Sequence, residues 1–565
     1  MKLLQLGISN YRGFCRTGTA THPSDPNLDF HWLDMSNDII VVVGENNGGK
    51  TSLLQAYRDF RSSGFAPARE DFFRCETSHP IIMELRFQAG EEDDLANDKT
   101  GKWYSDGRVA KVRKVWATPT QKAVKLSYDW GRDAWVEGGF GGFDSILQNR
   151  LPEPIHLAPH MAADELKGQF EKLFKEIIQR HIAGSENVKI IESALHALSL
   201  EIEQDQYITG IAGRVSVVAA NVFPGLGVQI RNPPSDKGIG PLLEKQAEIE
   251  LTLSDSPALS VARHGQGSQR AFLLSALNIL VPELAAATRR AKAKGAPEEA
   301  VGHTLLQIEE PELFLSPTAV RRMRGLLYEL AAQDGVQVMA CSHSPVMVDF
   351  SRPKQTVALV ERTENGSVIH QSETSNVPKE RRDALKLIYQ LNPLVAECLF
   401  ANKVVLVEGE TEFAALTHAL ASKGLSEHDL DVHIVDCGGK PSLPAVQKVL
   451  RDFGKRYIAV HDLDVTHGDR ASDQAGWDRN EAIWNEIAAA RSDGVIALGF
   501  VFGKDFEGAH GYEARGKHKV LNAMNMIDAH EANGSFSETP LASLLDAIAN
   551  WKSPFETLED VARMS

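Results

Sequence analysis

Short apolar runs separated by polar loops recur along most of this chain, and several of them end on residues able to do chemistry. Residues 38–43 (DIIVVV) read as a buried strand and residues 52–57 (SLLQAY) as the opening of a helix. Further strand patterns lie at 3–9, 79–88, 108–116 and 123–130, so the first 160 residues read as strand-rich mixed structure. Between about 163 and 206 the spacing turns helical. Phe170, Leu173, Phe174, Ile177 and Ile178 mark one apolar face, and Ile190, Ile191, Ala194, Leu195 and Leu198 another. Strand patterns return at 304–312, ending in Glu309 and Glu310, and at 336–345, ending in His343. After a charged, helical stretch through about residue 399, strands at 403–407, 432–435 and 457–460 alternate with helices at 413–420 and 443–453. That alternation predicts a mostly parallel sheet, whose sites lie at the carboxyl ends of its strands.

The octet at 44–51, GENNGGKT, fits the phosphate-loop pattern at each fixed position and sits between a strand and a helix. Its glycines let backbone N–H groups face a phosphate, the helix N-terminus adds a favourable dipole, and Lys50 reaches the terminal phosphates. Gly44, Asn47, Gly49, Lys50, Thr51 and Ser52 are therefore candidate ATP contacts, with Thr51 on Mg2+. Glu309, at a strand end beside the loop, is suited to hold that Mg2+. Glu310 is placed to orient an attacking water, and His343 to sense the γ-phosphate.

In the second half, Glu408 ends one strand, Glu412 lies one turn into the helix that follows, and Asp462 and Asp464 end another strand. Residues two apart point to the same side of an extended chain. Four converging carboxylates without histidine or thiol suit hard, oxygen-seeking Mg2+ or Mn2+. A two-metal carboxylate site has one common use, in-line attack on a phosphodiester.

The first half resembles the ATP-binding cassette ATPases of the RecF and SMC type. That resemblance implies that Gly267, Ser268 and Gln269 belong to a signature loop reaching the nucleotide of a second subunit. It also implies a homodimer or larger assembly, and a nucleotide contact at Arg12 in Asn10-Tyr11-Arg12. Two departures stand out, since Glu309 replaces the usual Walker B aspartate and the signature reads HGQGSQ. The second half resembles the Toprim domain, and the tandem order resembles the OLD family of ATP-dependent nucleases, including Gabija-type antiphage nucleases. On that resemblance Glu408 and Glu412 match the EGxxE motif, Asp462 and Asp464 match DxD, and Glu507 is the later acidic ligand. Lys519, or Lys517 two residues before it, would neutralise the scissile phosphate.

The expected fold class is thus multidomain α/β: a RecF/SMC-like ATPase over 1–162 and 246–398, a helical insertion and possible dimer contact over 163–245, and a Toprim parallel-sheet domain over 399–565. The expected function is an ATP-regulated DNA endonuclease or nickase, with a role in antiphage defence implied by the resemblance. The competing expectation is a repair ATPase or loader whose Toprim fold only binds partners; intact EGxxE and DxD favour the nuclease, because clustered carboxylates repel one another without metal. A topoisomerase-like enzyme would need a nucleophilic tyrosine in a winged-helix segment, and none of the nine tyrosines sits in one.

Composition narrows this only slightly. At 565 residues the chain exceeds a single core, and 43% hydrophobic with 24% charged residues describes a globular protein. No apolar run approaches a membrane span and the N-terminus lacks a secretion signal, so a cytoplasmic protein with no membrane partner is expected. Five scattered cysteines support neither a disulfide framework nor a zinc site. The net charge of −16 argues against a nonspecific nucleic-acid coat but not against one DNA groove, so DNA is the expected partner; whether a helicase-like partner is also needed stays open at this point.

Overall fold

The computed structural model describes residues 1–16, 18, 22–90, 101–138, 151–159, 250–251, 259–260, 263, 269, 304–349, 355–373, 393–464, 473–512 and 518–562. The chain divides into two compact units. One comprises Met1–Pro159, Gly302–Ala332 and Val336–Ser565; the other comprises His160–Val301 and Gln333–Gly335. The helical patterns expected at 163–206 lie outside the described residues.

The first unit holds three sheets. An antiparallel sheet is built from β1 (Lys2–Ser9), β2 (His31–Asp34), β4 (Ile81–Gln88), β5 (Val109–Trp116), β6 (Val124–Asp129) and β7 (Ala134–Glu137), in the order β2-β1-β4-β5-β6-β7. One face carries Leu3, Leu6, Ile8, Met83, Leu85, Phe87, Val112 and Trp116 into the main apolar core, as the period-two pattern requires. The second sheet runs β14-β13-β3-β12-β11-β8. Its members are β3 (Ile39–Val43), β8 (Glu153–Leu157), β11 (Thr304–Glu309), β12 (Val336–Ser342), β13 (Gln355–Thr363) and β14 (Gly366–Glu373). All neighbours are parallel except the β13–β14 hairpin. β3 and β12 are buried at every position, and such continuously apolar strands belong in the middle of a parallel sheet covered on both faces. Gln337 of β12 ties the two sheets: its amide donates to the carbonyls of Leu3, Met35 and Asn37, and its oxygen accepts from Leu3 N.

Helix α1 (Lys50–Arg61) follows the phosphate loop and buries Leu53, Leu54, Ala56, Tyr57 and Phe60. Helix α2 (Pro317–Ala331) is capped by Ser316, whose side chain accepts from Ala319 N, and starts with proline at its first position, a standard helix entry.

The third sheet is wholly parallel, in the order β16-β15-β17-β18, formed by β15 (Lys403–Val407), β16 (His433–Asp436), β17 (Arg456–Asp462) and β18 (Ala497–Phe502). The helices that follow its strands include α3 (Glu410–Ser422), α4 (Leu443–Asp452), α5 (Gln474–Ser492), α6 (Phe506–Ala509), α7 (Lys519–Ala532) and α8 (Pro540–Asn550). This is the strand–helix alternation expected from the sequence. What the sequence reading did not foresee is the β13–β14 hairpin, which falls in or just ahead of the stretch read as a helical linker. Glu361 of β13 pairs with Lys455, just before β17, and with His370 of β14 at 3.6 Å. The His370 ring packs against Gly454 so closely that a Cβ there would overlap it.

In the second unit the described strands β9 (Glu250–Leu251) and β10 (Leu259–Ser260) pair antiparallel. Gln269 is described and buried. Gly267 and Ser268 of the expected signature loop lie outside the described residues.

Candidate functional site: a phosphate loop and a carboxylate sheet end

At the end of β3 the chain turns through Gly44 at φ 142°, Asn47 at φ 62° and Gly49 at φ 115°. A Cβ on Gly44 would overlap the Val360 carbonyl of β13, so both φ and space demand glycine there. Ser367 of β14 donates its hydroxyl to Gly48 O at 2.6 Å, fixing the loop from the hairpin side. The loop lines a cavity of about 470 Å³ with Lys50, Thr51, Ser52, Glu309, Glu310, His343 and Arg362. Lys50 Nζ donates to the carbonyls of Gly44 (2.9 Å) and Glu45 (2.7 Å) and lies 3.5 Å from His343 Nδ1. Burial lowers the pKa of Lys50, and burial together with Lys50 lowers that of His343. An anion between the two would relieve both, which is what a phosphate site requires.

Thr51 Oγ1 donates to Glu309 Oε2 at 2.9 Å, and His156 Nε2 stands 2.9 Å from Glu309 Oε1. Burial pushes the Glu309 carboxyl up, but the bonds from His156 and Thr51 outweigh it and hold the group below its ordinary value. A hydroxyl and an ionised carboxylate side by side at a phosphate loop fit a hard cation such as Mg2+. Glu310, in a left-handed turn at φ 48°, has Oε1 3.8 Å from His343 Nε2. Glu312 supports this corner by accepting from Ser342 Oγ (2.7 Å) and His343 N (2.9 Å). Arg12 does not line the cavity; its Nε is paired with Asp71 Oδ1 at 3.0 Å, and Gly13 lines the cavity instead.

The second constellation sits at the carboxyl ends of the parallel sheet. Glu408, after β15, accepts from Asp462 N at 3.2 Å, and Glu412 on α3 accepts from Gly409 N at 3.0 Å. Glu507 lies in the first turn of α6, whose N-cap Asp505 accepts from Gly508 N. Lys519 opens α7 with Nζ 3.0 Å from Glu507 Oε1, whereas Lys517 lies outside the described residues. Desolvation raises the pKa of Glu408; desolvation with the charge of Glu408 takes Glu412 up to about 7, and desolvation with the charges of Glu412 and Glu408 takes Asp462 up to about 8. The charges of these carboxylates act on one another. Asp462 Oδ1 is buried without a hydrogen-bond partner among the described residues, an arrangement that costs free energy unless a proton or a cation meets it.

Strand alternation does not align Asp462 and Asp464. The strand ends at Asp462, the backbone enters a left-handed turn at Asp464 (φ 58°), and the Asp464 side chain is 49% exposed. The two-residue alternation that would have aligned them stops with the strand. Three anchors fix this end. Asn480 of α5 donates to Leu463 O at 2.9 Å, and Trp484 Nε1 donates to His461 Nε2 at 3.1 Å. His461 Nδ1 meets Asp462 O at 2.7 Å, and burial lowers the imidazole to about 3, so it is neutral. The third anchor is Lys440, a residue with no expected role, whose ammonium donates to Asp462 O and to Asp464 Oδ2. Tyr512 was also missed; burial and then the charges of Glu507, Glu412 and Asp462 raise its hydroxyl.

As they stand, no group of three or more His, Cys, Asp or Glu among the described residues is close enough to hold a metal ion. The donor set nevertheless fits one in its chemistry: all-oxygen, acidic, and with Asp462 Oδ1 buried and unpaired among the described residues.

Comparison with known proteins gives two domain matches. Residues 399–464 match the TOPRIM domain of overcoming lysogenization defect protein-like proteins, and residues 144–348 match an AAA ATPase domain. The chain is 24% identical over 494 residues to the Old nuclease of Escherichia phage P2, covering 82% of this chain and 77% of that protein. It is 30% identical over 174 residues to the OLD nuclease of Thermus scotoductus, covering 30% of this chain and 32% of that one. Among solved structures it is similar to the SmcHead bound to the C-winged helix domain of ScpA, with a TM-score of 0.36 and 14% identity over 66% of this chain and 98% of that chain. The chain thus joins an ATPase domain to an OLD-like TOPRIM domain and is similar over most of its length to a known Old nuclease.

Proposed function

We propose that this protein is a metal-dependent DNA endonuclease or nickase whose cleavage is governed by nucleotide in its ATPase domain, acting in antiphage defence. The observation that carries the reading is the buried, unpaired Asp462 Oδ1 among Glu408, Glu412 and Glu507 at the ends of a parallel sheet. Glu408, Glu412, Asp462, Asp464 and Glu507 are the residues that would hold two Mg2+ or Mn2+ ions. Bound there, such ions supply a water-derived nucleophile at neutral pH and neutralise the leaving oxygen in phosphodiester hydrolysis. Lys519, 56% exposed beside Glu507, is free to turn toward a DNA phosphate. His461, Trp484 and Asn480 keep the end of β17 in register.

In the ATPase half, Lys50 would leave the Gly44 and Glu45 carbonyls for the β- and γ-phosphates, while Thr51 and Glu309 part to admit Mg2+. Glu310 would orient the attacking water and His343 report on the γ-phosphate. Gly267, Ser268 and Gln269 of a second subunit would close the nucleotide in a homodimer. Domain limits of 1–162, 163–245, 246–398 and 399–565 go with this reading.

The test is supercoiled plasmid incubated with purified protein and Mg2+ or Mn2+, with and without ATP, beside Asp462→Ala. Wild type should give nicked or linear product and the variant none, with ATP binding retained. Equal cleavage by the variant would sink the site assignment.

A further inference from the structure

One buried side chain at the TOPRIM end takes no part in the reading above. Lys440 follows Gly438 and Gly439 beyond β16 and is 4% exposed. Gly439, at φ 123°, supplies the turn that sends the lysine inward. Lysine is among the residues least often buried, because desolvating an ammonium is costly unless its charge is met. Here it is met by the Asp462 carbonyl and by Asp464 Oδ2 at 2.7 Å. The charge reaches further, since Lys440 pulls the Glu408 carboxyl down against the opposing effect of burial. A half-exposed partner such as Asp464 returns little of the desolvation cost by itself. The ammonium is better understood as serving the whole carboxylate end of the sheet.

We infer that Lys440 is a positioning residue of the nuclease site, a built-in cation that clamps the end of β17 to the Asp464 turn and competes with a divalent ion for the Asp464 carboxylate. This rests on the proposed role of Asp462 and Asp464 as ligands. The clamp follows from the bonding: one ammonium spans the backbone of residue 462 and the side chain of residue 464, across the point where the strand stops. The competition follows from charge, because a fixed positive group beside a ligand weakens the local field that attracts a second cation. The two roles push in opposite directions. Removing Lys440 tightens metal binding and slows cleavage, whereas loss of a merely structural residue weakens both.

The experiment uses the full chain as wild type, Lys440→Met and Lys440→Arg, with melting temperature and ATP binding recorded first. Mn2+ binding is titrated without DNA by the loss of its free-ion paramagnetic resonance signal, and plasmid cleavage is timed separately. Lys440→Met should bind Mn2+ about tenfold tighter, equivalent to ~1.4 kcal/mol, and cleave roughly tenfold or more slowly. Lys440→Arg, which keeps the charge, should stay near wild-type affinity. Unchanged or weaker Mn2+ binding in Lys440→Met, or an unchanged cleavage rate, overturns the inference. Should Lys440→Met fail to fold, the unsubstituted chain decides: saturating Mg2+ must move the Lys440 side-chain 15N resonance, assigned by its loss in Lys440→Arg, and a resonance that stays in place overturns the competition. If wild type itself neither binds Mn2+ nor cleaves, it is the nuclease reading that fails.

Discussion

Asp462 and Glu412 spend their charge poorly without a cation. Their unfolded values are about 3.9 and 4.3, and in the folded chain they rise to about 8 and about 7. Across that interval the folded state keeps protons that the unfolded state has released, so these two groups make stability fall as pH climbs from about 4 toward 8. A divalent ion binds the deprotonated pair and returns the lost stability. The thermal shift on adding Mg2+ should therefore be larger at pH 8 than at pH 6, as read by differential scanning fluorimetry in both buffers. His461, lowered to about 3, is common to both arms and cancels. Equal shifts at the two pH values would mean that the buried pair is not where the ion goes.

Elements carry these residues to the site, and the sequence showed the elements better than the contacts. β3, β11, β12, β15 and β17 were legible because continuous apolar runs ending in polar residues have few other readings in a parallel sheet. With them came the phosphate loop, Glu309, Glu310, His343, Glu408 and Asp462. The β13–β14 hairpin was not read, although Asn365-Gly366 at its turn is a strong local hairpin signal. His156, which meets Glu309, and Arg362, which lines the phosphate-loop cavity, left no trace either, since each is carried there on a strand paired with strands far away in sequence. Lys440 looked like an ordinary lysine after two glycines, and only its burial sets it apart. The hairpin also bears on Gly44, which faces the Val360 carbonyl. Gly44→Ala should lower ATP affinity by roughly tenfold or more through strain and overlap, while leaving Mn2+ binding at the TOPRIM end unchanged. Fluorescent-nucleotide and Mn2+ titrations on one preparation check both halves, and an unaltered nucleotide affinity would refute the loop geometry.

Across the first unit, the same hairpin touches the phosphate loop and the start of the strand that ends at Asp462. Val360 and Ser367 abut the phosphate loop, while Glu361 and His370 hold Lys455 and Gly454 at the start of β17. Lys455→Ala should shrink the difference between cleavage rates measured with and without ATP, leaving ATP and Mn2+ affinities near wild type. A coupling of this sort is about 1–3 kcal/mol in magnitude, well within reach of paired rate measurements; an undiminished ATP response would separate the hairpin from control.

Seven residues of extended backbone run from Arg456 to Asp462, about 20 Å at the usual rise, with β15 paired along 456–459 and β18 along 457–462. On the proposed function, this strand joins a hairpin that touches the phosphate loop to the carboxylate end of the sheet, and an axial slip along it is the movement by which nucleotide would govern cutting at a distance.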